Sequence, residues 1–324
     1  IAYDGFEPSG RVHIAQGLLR AINVNKMIRT GAKFNMLVAD WHAWANNKLG
    51  GNLEHIQTVG KYLIEIWRLT GMDLQHVNFI WASEFVNDEG YWRKVMQIAR
   101  NSTLKRLIRT SQIMGRRQGE TLQASQILYP CMQCADIFHM NVDVCQLGLD
   151  QRKVNVLARE IGPKLFGKKP VSIAHHMLPG LNAPKADYNS QEDRLLDLKM
   201  SKSNPNSAIF MTDTEQEIRK KIKRAYCPET TEDNPILEYC KYLIFEKVEN
   251  FKIERPTKYG GDIEFKNYNE LEKAYVNKEI HPMDLKNAVA TYLNNFIDPV
   301  RKAFESDSKL KELKGLAMSF RVTR

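Results

Sequence analysis

The chain has 324 residues, 43% hydrophobic and 26% charged, a globular balance that excludes wholesale disorder and low-complexity or collagen-like structure. Its 47 basic against 38 acidic residues leave a net charge of +9, which points to an anionic partner without separating nucleic acid, nucleotide and acidic lipid. Five cysteines are too few for a disulfide scaffold and read as reduced thiols, no apolar run approaches the roughly 18 residues of a membrane helix, and a first residue Ile1 in place of Met reads as a trimmed start.

Residues 1–6 read as a short strand, and Glu7-Pro8-Ser9-Gly10 as the loop that ends it. A helical pattern then runs from His13 to Gly31, and a second strand from Phe34 to Ala39. Strand, loop, helix and strand in that order predict a βαβ unit and a parallel sheet. Ile56, Val59, Leu63, Ile66 and Leu69 repeat at helical spacing over 54–70, closed by Gly71. Residues 91–119 carry eight basic residues and no acidic one, and read as one basic helix. Residues 123–162 read as helical, then turn-rich, then helical, and Val171 to Ala174 as a buried strand. Residues 183–207 form a long polar loop, of a length that is commonly functional. Beyond Thr214 the chain is helical and charged, with a turn-rich interruption at Pro256–Asp262, so a domain boundary is expected near 213.

Two stretches carry chemistry. A Gly/Pro/Ser loop feeding a helix N-terminus is a candidate anion site, and His13 there can donate to a phosphate oxygen. Neither a P-loop nor a GxGxxG pattern is present. Lys199-Met200-Ser201-Lys202-Ser203 sets two ammonium groups among small hydroxyls on a flexible segment, which suits closure over a polyphosphate and charge neutralisation on a leaving pyrophosphate. Cys131-Met132-Gln133-Cys134 has no second pair at zinc spacing, HExxH is absent, and His175-His176 on a strand reads as buried, so no protein metal site is expected.

His13-Ile14-Ala15-Gln16 resembles a variant of the HIGH signature, and Lys199–Ser203 matches KMSKS, the pair that marks class I aminoacyl-tRNA synthetases. Tyr3–Gly10, Ala39–Ala43, Tyr129–Gln133, Gly148–Lys153 and His281–Asn287, in that order, resemble tyrosyl-tRNA synthetases of the archaeal–eukaryotic type from Tyr3 to about Arg301. The resemblance implies an α/β fold: a Rossmann-like catalytic domain at 1–213 with a helical connective insertion at about 85–140, then an α-helical anticodon-binding domain at 214–324. It implies activation of tyrosine with Mg-ATP to tyrosyl-adenylate, transfer to the 3′ end of tRNA(Tyr), a homodimer and a cytoplasmic location. The alternatives are a tryptophanyl-tRNA synthetase or an inactive synthetase-like tRNA-binding protein.

By the same resemblance, His13, Gln16, Lys199 and Lys202 are the catalytic set. Gly148 and Asp150 meet the ribose, and Met200 and Ser201 complete the ATP site. Tyr3 and Asp136 meet the phenolic hydroxyl; Tyr129, Gln133 and Gln151 hold the ammonium; Leu37 and His42 line the pocket. Arg152 and Lys153 approach the acceptor stem, while Tyr259, His281 and Asp284 belong to anticodon reading. Ala15 and Gln16 depart from the HIGH pattern, and about residues 186–198 are extra beside a short family linker.

Overall fold

The computed structural model describes residues 1–115, 120–185, 187–188, 194, 197–200, 202 and 204–321. Strands β1 (Ala2–Phe6), β2 (Phe34–Val38), β3 (Val77–Trp81), β4 (Val144–Gly148) and β5 (Val171–His175) lie in the order β3-β2-β1-β4-β5, with every pair parallel. This is the expected Rossmann-like sheet. Its strand order reverses at β1 and β4, and ligands of open α/β sheets bind outside the carboxyl ends at such a reversal. Here β1 and β4 pair at Ala2↔Val144 and Tyr3↔Cys145 and then part, so a crevice opens where the loops after both strands meet.

Helices α1 (Arg20–Ile28), α2 (Asp40–Ala45), α3 (Leu53–Leu69), α4 (Glu89–Arg100), α5 (Leu104–Thr110), α6 (Ala124–His139) and α7 (Arg152–Phe166) surround the sheet. In α3, Ile56, Val59, Leu63 and Ile66 are buried as their spacing predicts. The stretch 91–119 is not one helix. Asn101 closes α4, and the Thr103 hydroxyl accepts from the Arg106 amide at 3.2 Å to start α5. Its last basic residues, Arg116 and Arg117, lie outside the described residues. Helices α4–α6 fall within residues 85–140.

Three other readings change. β3 carried no strand signal, and β4 replaces part of a segment read as turns; both are five-residue runs whose polar members, Asn78 and Gln146, mask an apolar pattern. β5 is a strand but not a buried one: it is the sheet's edge, and Val171 is 52% exposed. The turn at 256–262 is flanked by a small antiparallel pair, Phe251–Ile253 with Ile263–Phe265.

The C-terminal half opens at a capping box. The Thr214 hydroxyl accepts from the Glu217 amide and the Glu217 carboxylate accepts from the Thr214 amide, starting the helix Glu215–Arg224. The long helix Pro282–Ser306 and the last helix Ser308–Ser319 follow, and the last one packs on α3. A continuous apolar cluster therefore runs from Ala2 and Phe34 to Phe304 and Ala317. A second cluster joins Tyr3 and Leu37 to α4–α6. Among the described residues no helix is long and apolar enough to cross a membrane.

Candidate active site

At the β1–β4 crevice lies a cleft of about 440 Å³. One end is built on α6. Tyr129, Gln133 and Asp136 are four and three residues apart, so they share one helical face, and all three are buried. Asp136 is fully buried. Its Oδ1 accepts from the Tyr91 hydroxyl at 3.1 Å, and its Oδ2 stands 2.9 Å from His42 Nε2 without the alignment of a hydrogen bond. Burial opposes a charge on His42, yet Asp136 beside it raises the imidazole's pKa. Tyr3 from β1 and Leu37 from β2 close this end. A Cβ at Gly5 would come 3.1 Å from the Tyr3 hydroxyl and 3.5 Å from Leu37 Cβ, so the glycine leaves Tyr3 room. The arrangement is an apolar slot ending in a hydroxyl and a carboxylate, fit to accept from and donate to one phenol.

Next along the cleft, Gln133 Nε2 donates to Gln151 Oε1 at 3.1 Å, and Gln151 Nε2 donates to the Ile113 carbonyl at 3.0 Å. Gln133 Oε1 is left buried with no protein partner, an acceptor suited to an ammonium group. Tyr129 packs edge-on against His42, and both burial and the hydrogen bond with Glu7 hold its phenol protonated.

At the far end, His13 Nδ1 and Gln16 Oε1 are buried without partners. Burial first, then Lys202 and Lys199, lower the pKa of His13, so its imidazole is neutral and can donate from one nitrogen. Lys199 Nζ donates to Asp150 Oδ2 at 2.8 Å, and Lys202 Nζ to Ser9 Oγ at 2.9 Å. Burial, helped by the repulsion of Lys48 and Lys199, pushes Lys202 down to about 7. Met200 is buried between the two lysines, and Ser201 lies outside the described residues. A Cβ at Gly148 would stand 2.5 Å from Asp150 Oδ1 and 2.9 Å from Met177 Sδ, so a larger residue there would displace the carboxylate from its present place.

The orphaned atoms, the paired lysines and the glycine fit a nucleotide with its phosphates toward His13 and the lysines. Among the described residues no group of three or more His, Cys, Asp or Glu could hold a metal ion. Burial pushes the Cys131 thiol up to about 12, which leaves the Cys131–Cys134 pair unreactive. Neither of the adjacent histidines is buried as expected: His175 is half-buried at the end of the edge strand, and His176, which follows it, is exposed.

The cleft also contains residues that sequence reasoning missed. Glu7 accepts from Asn46 Nδ2 at 3.1 Å and stands 4.0 Å from Lys48. Lys48 enters on a tight turn whose neighbours Asn47, Leu49, Gly50 and Gly51 all have positive φ. The Gly-Gly pair was the available signal, since left-handed backbone clusters at functional sites. Arg20, buried on α1, pairs with Asp4 at 2.5 Å, and burial outweighs that pairing to raise Asp4 to about 7. Tyr91, buried behind the cleft wall and acting on it through Asp136, shows no motif at all.

The expected RNA-facing residues lie apart from the cleft. Arg152 is exposed at the start of α7, and Lys153 donates to Gln112. Tyr259 is 60% exposed on the turn Thr257–Tyr259, with Lys258 Nζ 4.7 Å above its ring. His281 caps the helix Pro282–Ser306, its Nδ1 accepting from the Met283 amide at 3.1 Å, and Asp284 sits in the first turn. Arg255 ties the two places together, donating to the Gly261 carbonyl at 2.9 Å and the Glu279 carbonyl at 2.8 Å.

The family model described as tRNA synthetases class I (W and Y) matches residues 1–298. The chain belongs to this family. It is 49% identical to the Arabidopsis thaliana protein named tyrosine–tRNA ligase 1, cytoplasmic, over all of this chain and 82% of that one. It is 42% identical to a tyrosine–tRNA ligase of Saccharolobus islandicus, over 96% of this chain and 88% of that one. A tyrosyl-tRNA synthetase of Pyrococcus horikoshii complexed with L-tyrosine superposes with a TM-score of 0.89 at 39% identity, over 97% and 90% of the two chains. A tryptophanyl-tRNA synthetase of Encephalitozoon cuniculi shares the fold at 19% identity and a TM-score of 0.68.

Proposed function

We infer that this class I synthetase is a tyrosine–tRNA ligase. The observation that carries the reading is the buried slot that Tyr3, Leu37 and Asp136 line together, in a chain 42–49% identical to proteins named tyrosine–tRNA ligase. A phenol there finds an acceptor and a donor, whereas phenylalanine or an indole would leave buried polar groups unpaired.

The chemistry needs no side-chain nucleophile. A carboxylate oxygen of tyrosine forms a bond to the α-phosphorus of ATP while the bond from that phosphorus to the bridging oxygen of pyrophosphate breaks. The terminal tRNA hydroxyl then attacks the acyl carbonyl and AMP leaves. The protein positions the reactants and stabilises charge. Gln133, Gln151 and Tyr129 hold the ammonium; His13 and Gln16 meet phosphate; Gly148 and Asp150 meet the ribose. Lys199 and Lys202, with Lys48, neutralise the departing pyrophosphate. Mg2+ enters with ATP as part of the substrate.

In this reading residues 1–213 adenylate, and 214–324 read the anticodon through Tyr259, His281 and Asp284. Arg152 and Lys153 meet the acceptor stem. Exposed Met96, Leu104 and Ile108 on α4 and α5 support a homodimer, and the Arabidopsis relative's name supports a cytoplasmic site. Amino-acid-dependent ATP–pyrophosphate exchange tests the activity: tyrosine should stimulate it, stimulation by tryptophan instead overturns it, and tRNA binding without exchange favours an inactive synthetase-like protein. Asp136→Ala should weaken tyrosine binding by about 1.5–3 kcal/mol; unchanged tyrosine affinity in that variant removes Asp136 from the pocket.

A further inference from the structure

The adjacent histidines at the end of β5 part company. His175 faces the cleft, its Nε2 against the Arg20 guanidinium. His176 faces the C-terminal half: its Nε2 is 2.6 Å from Glu238 Oε2, and its ring stacks on Tyr242 at 4.3 Å between centroids and 16° between planes. The contacts continue along the next five residues. The Tyr239 hydroxyl donates to the Pro179 carbonyl at 2.8 Å, and the Tyr226 amide to the Leu181 carbonyl at 2.8 Å. Residues 176–181 thus rest on side chains and backbone from 226–242.

The other side of the same segment holds the lysine signature. Pro179 bridges to Lys199, the Gly180 amide donates to the Leu198 carbonyl at 2.6 Å, and the Leu181 amide donates to the Ser207 carbonyl at 3.0 Å. Gly180 has no room for a side chain: a Cβ would come 2.8 Å from the Ser207 carbonyl oxygen. Met177 and Leu178 meanwhile line the nucleotide end of the cleft. One short segment therefore touches the C-terminal half, the nucleotide pocket and both flanks of the signature loop.

We propose that residues 176–181 are a strut through which the C-terminal half sets the position of the signature loop, with Glu238, Tyr239 and Tyr242 as positioning residues for ATP. The strut acts on the nucleotide end alone, because the tyrosine slot is built on β1, β2 and α6, which it does not touch through any of these contacts. The proposal rests on the tyrosine–tRNA ligase reading for its kinetic arm and on geometry alone for its second arm.

The experiment compares the full chain with Glu238→Gln/Tyr242→Ala and with Tyr242→Phe, which keeps the stack. In tyrosine-dependent pyrophosphate exchange, the double variant should raise the KM for ATP about threefold to thirtyfold, the span of coupling effects along packed networks. Its KM for tyrosine should stay within about twofold, and Tyr242→Phe should behave as the parent. Hydrogen exchange at the Gly180 and Leu181 amides should accelerate in the double variant, whether or not the protein turns over substrate. Equal rises in both KM values, or unchanged ATP KM together with unchanged amide protection, overturn the strut. A parent chain without tyrosine-dependent exchange overturns the functional reading instead, and the amide measurement still decides the strut.

Discussion

Lys202 is a half-buried ammonium that feels the repulsion of two other lysines, and its charge depends on pH near neutrality. With its pKa pushed down to about 7 by burial and by Lys48 and Lys199, it is charged below that pH and neutral above it. Only the charged form attracts phosphate, and kcat/KM reports the free enzyme. The kcat/KM for ATP in pyrophosphate exchange should therefore fall as pH rises through about 7. Lys202→Arg keeps its charge across that range and should flatten the fall, even if its bulkier head lowers the plateau. A falling limb that persists unchanged in Lys202→Arg would assign it to another group. The two lysines were legible because an unusual pentapeptide carries them. Lys48 and Tyr91 were not, since a lysine beside two glycines and a tyrosine in a basic stretch are ordinary neighbours until the fold turns them inward. Asp136 was legible through the resemblance alone; by pattern it is one more polar residue on a helix, and only α6 packing against the sheet shows that its polar face is the buried one.

Among the elements, α7 is packed closely against α6 and against the turn that follows α7 itself. A Cβ at Gly162 would stand 2.4 Å from the Lys168 carbonyl oxygen and 2.6 Å from Phe138 Cζ, and Phe138 is itself stacked on Phe166. Backbone on one side and a packed ring on the other leave nothing flexible to yield. Gly162→Ala gains helix propensity, yet overpacking of this kind costs about 1–3 kcal/mol and should win. Thermal or urea denaturation checks it; a variant as stable as the parent would mean that α7 can slide. The long elements were legible where burial is one-sided, as in α3, whose period-3.6 stripe is what a helix laid on a sheet requires. β3 and β4 were not, because a five-residue strand within a parallel sheet offers no alternation long enough to read. β5 was read as a strand and misplaced: its apolar residues resemble those of an interior strand, and topology alone makes it the edge.

For the whole molecule, the division near residue 213 marks a change of composition but not a break in the core. Asp213, fully buried, binds Arg11 at 2.7 Å and Lys221 at 2.6 Å and accepts from the Phe210 amide at 2.9 Å. Its own carbonyl accepts from Arg301 Nη1 at 2.8 Å. One residue thus joins the loop that carries His13, the strand-like segment after the signature lysines and the longest C-terminal helix. The apolar cluster beneath it is continuous across both halves. Unfolding of the parent chain should accordingly be a single cooperative transition. Asp213→Ala removes the only carboxylate in contact with Lys221 among the described ion pairs and leaves that nearly buried ammonium with the Ala208 carbonyl at 3.0 Å and the Phe210 ring but no counter-charge, a loss of about 3–5 kcal/mol. The midpoint in urea should drop by a corresponding amount while the transition stays single, because the shared apolar core, not the ion pair, makes the halves fold together. Two resolved transitions in Asp213→Ala would mean that the halves have separable cores and that Asp213 is what couples them.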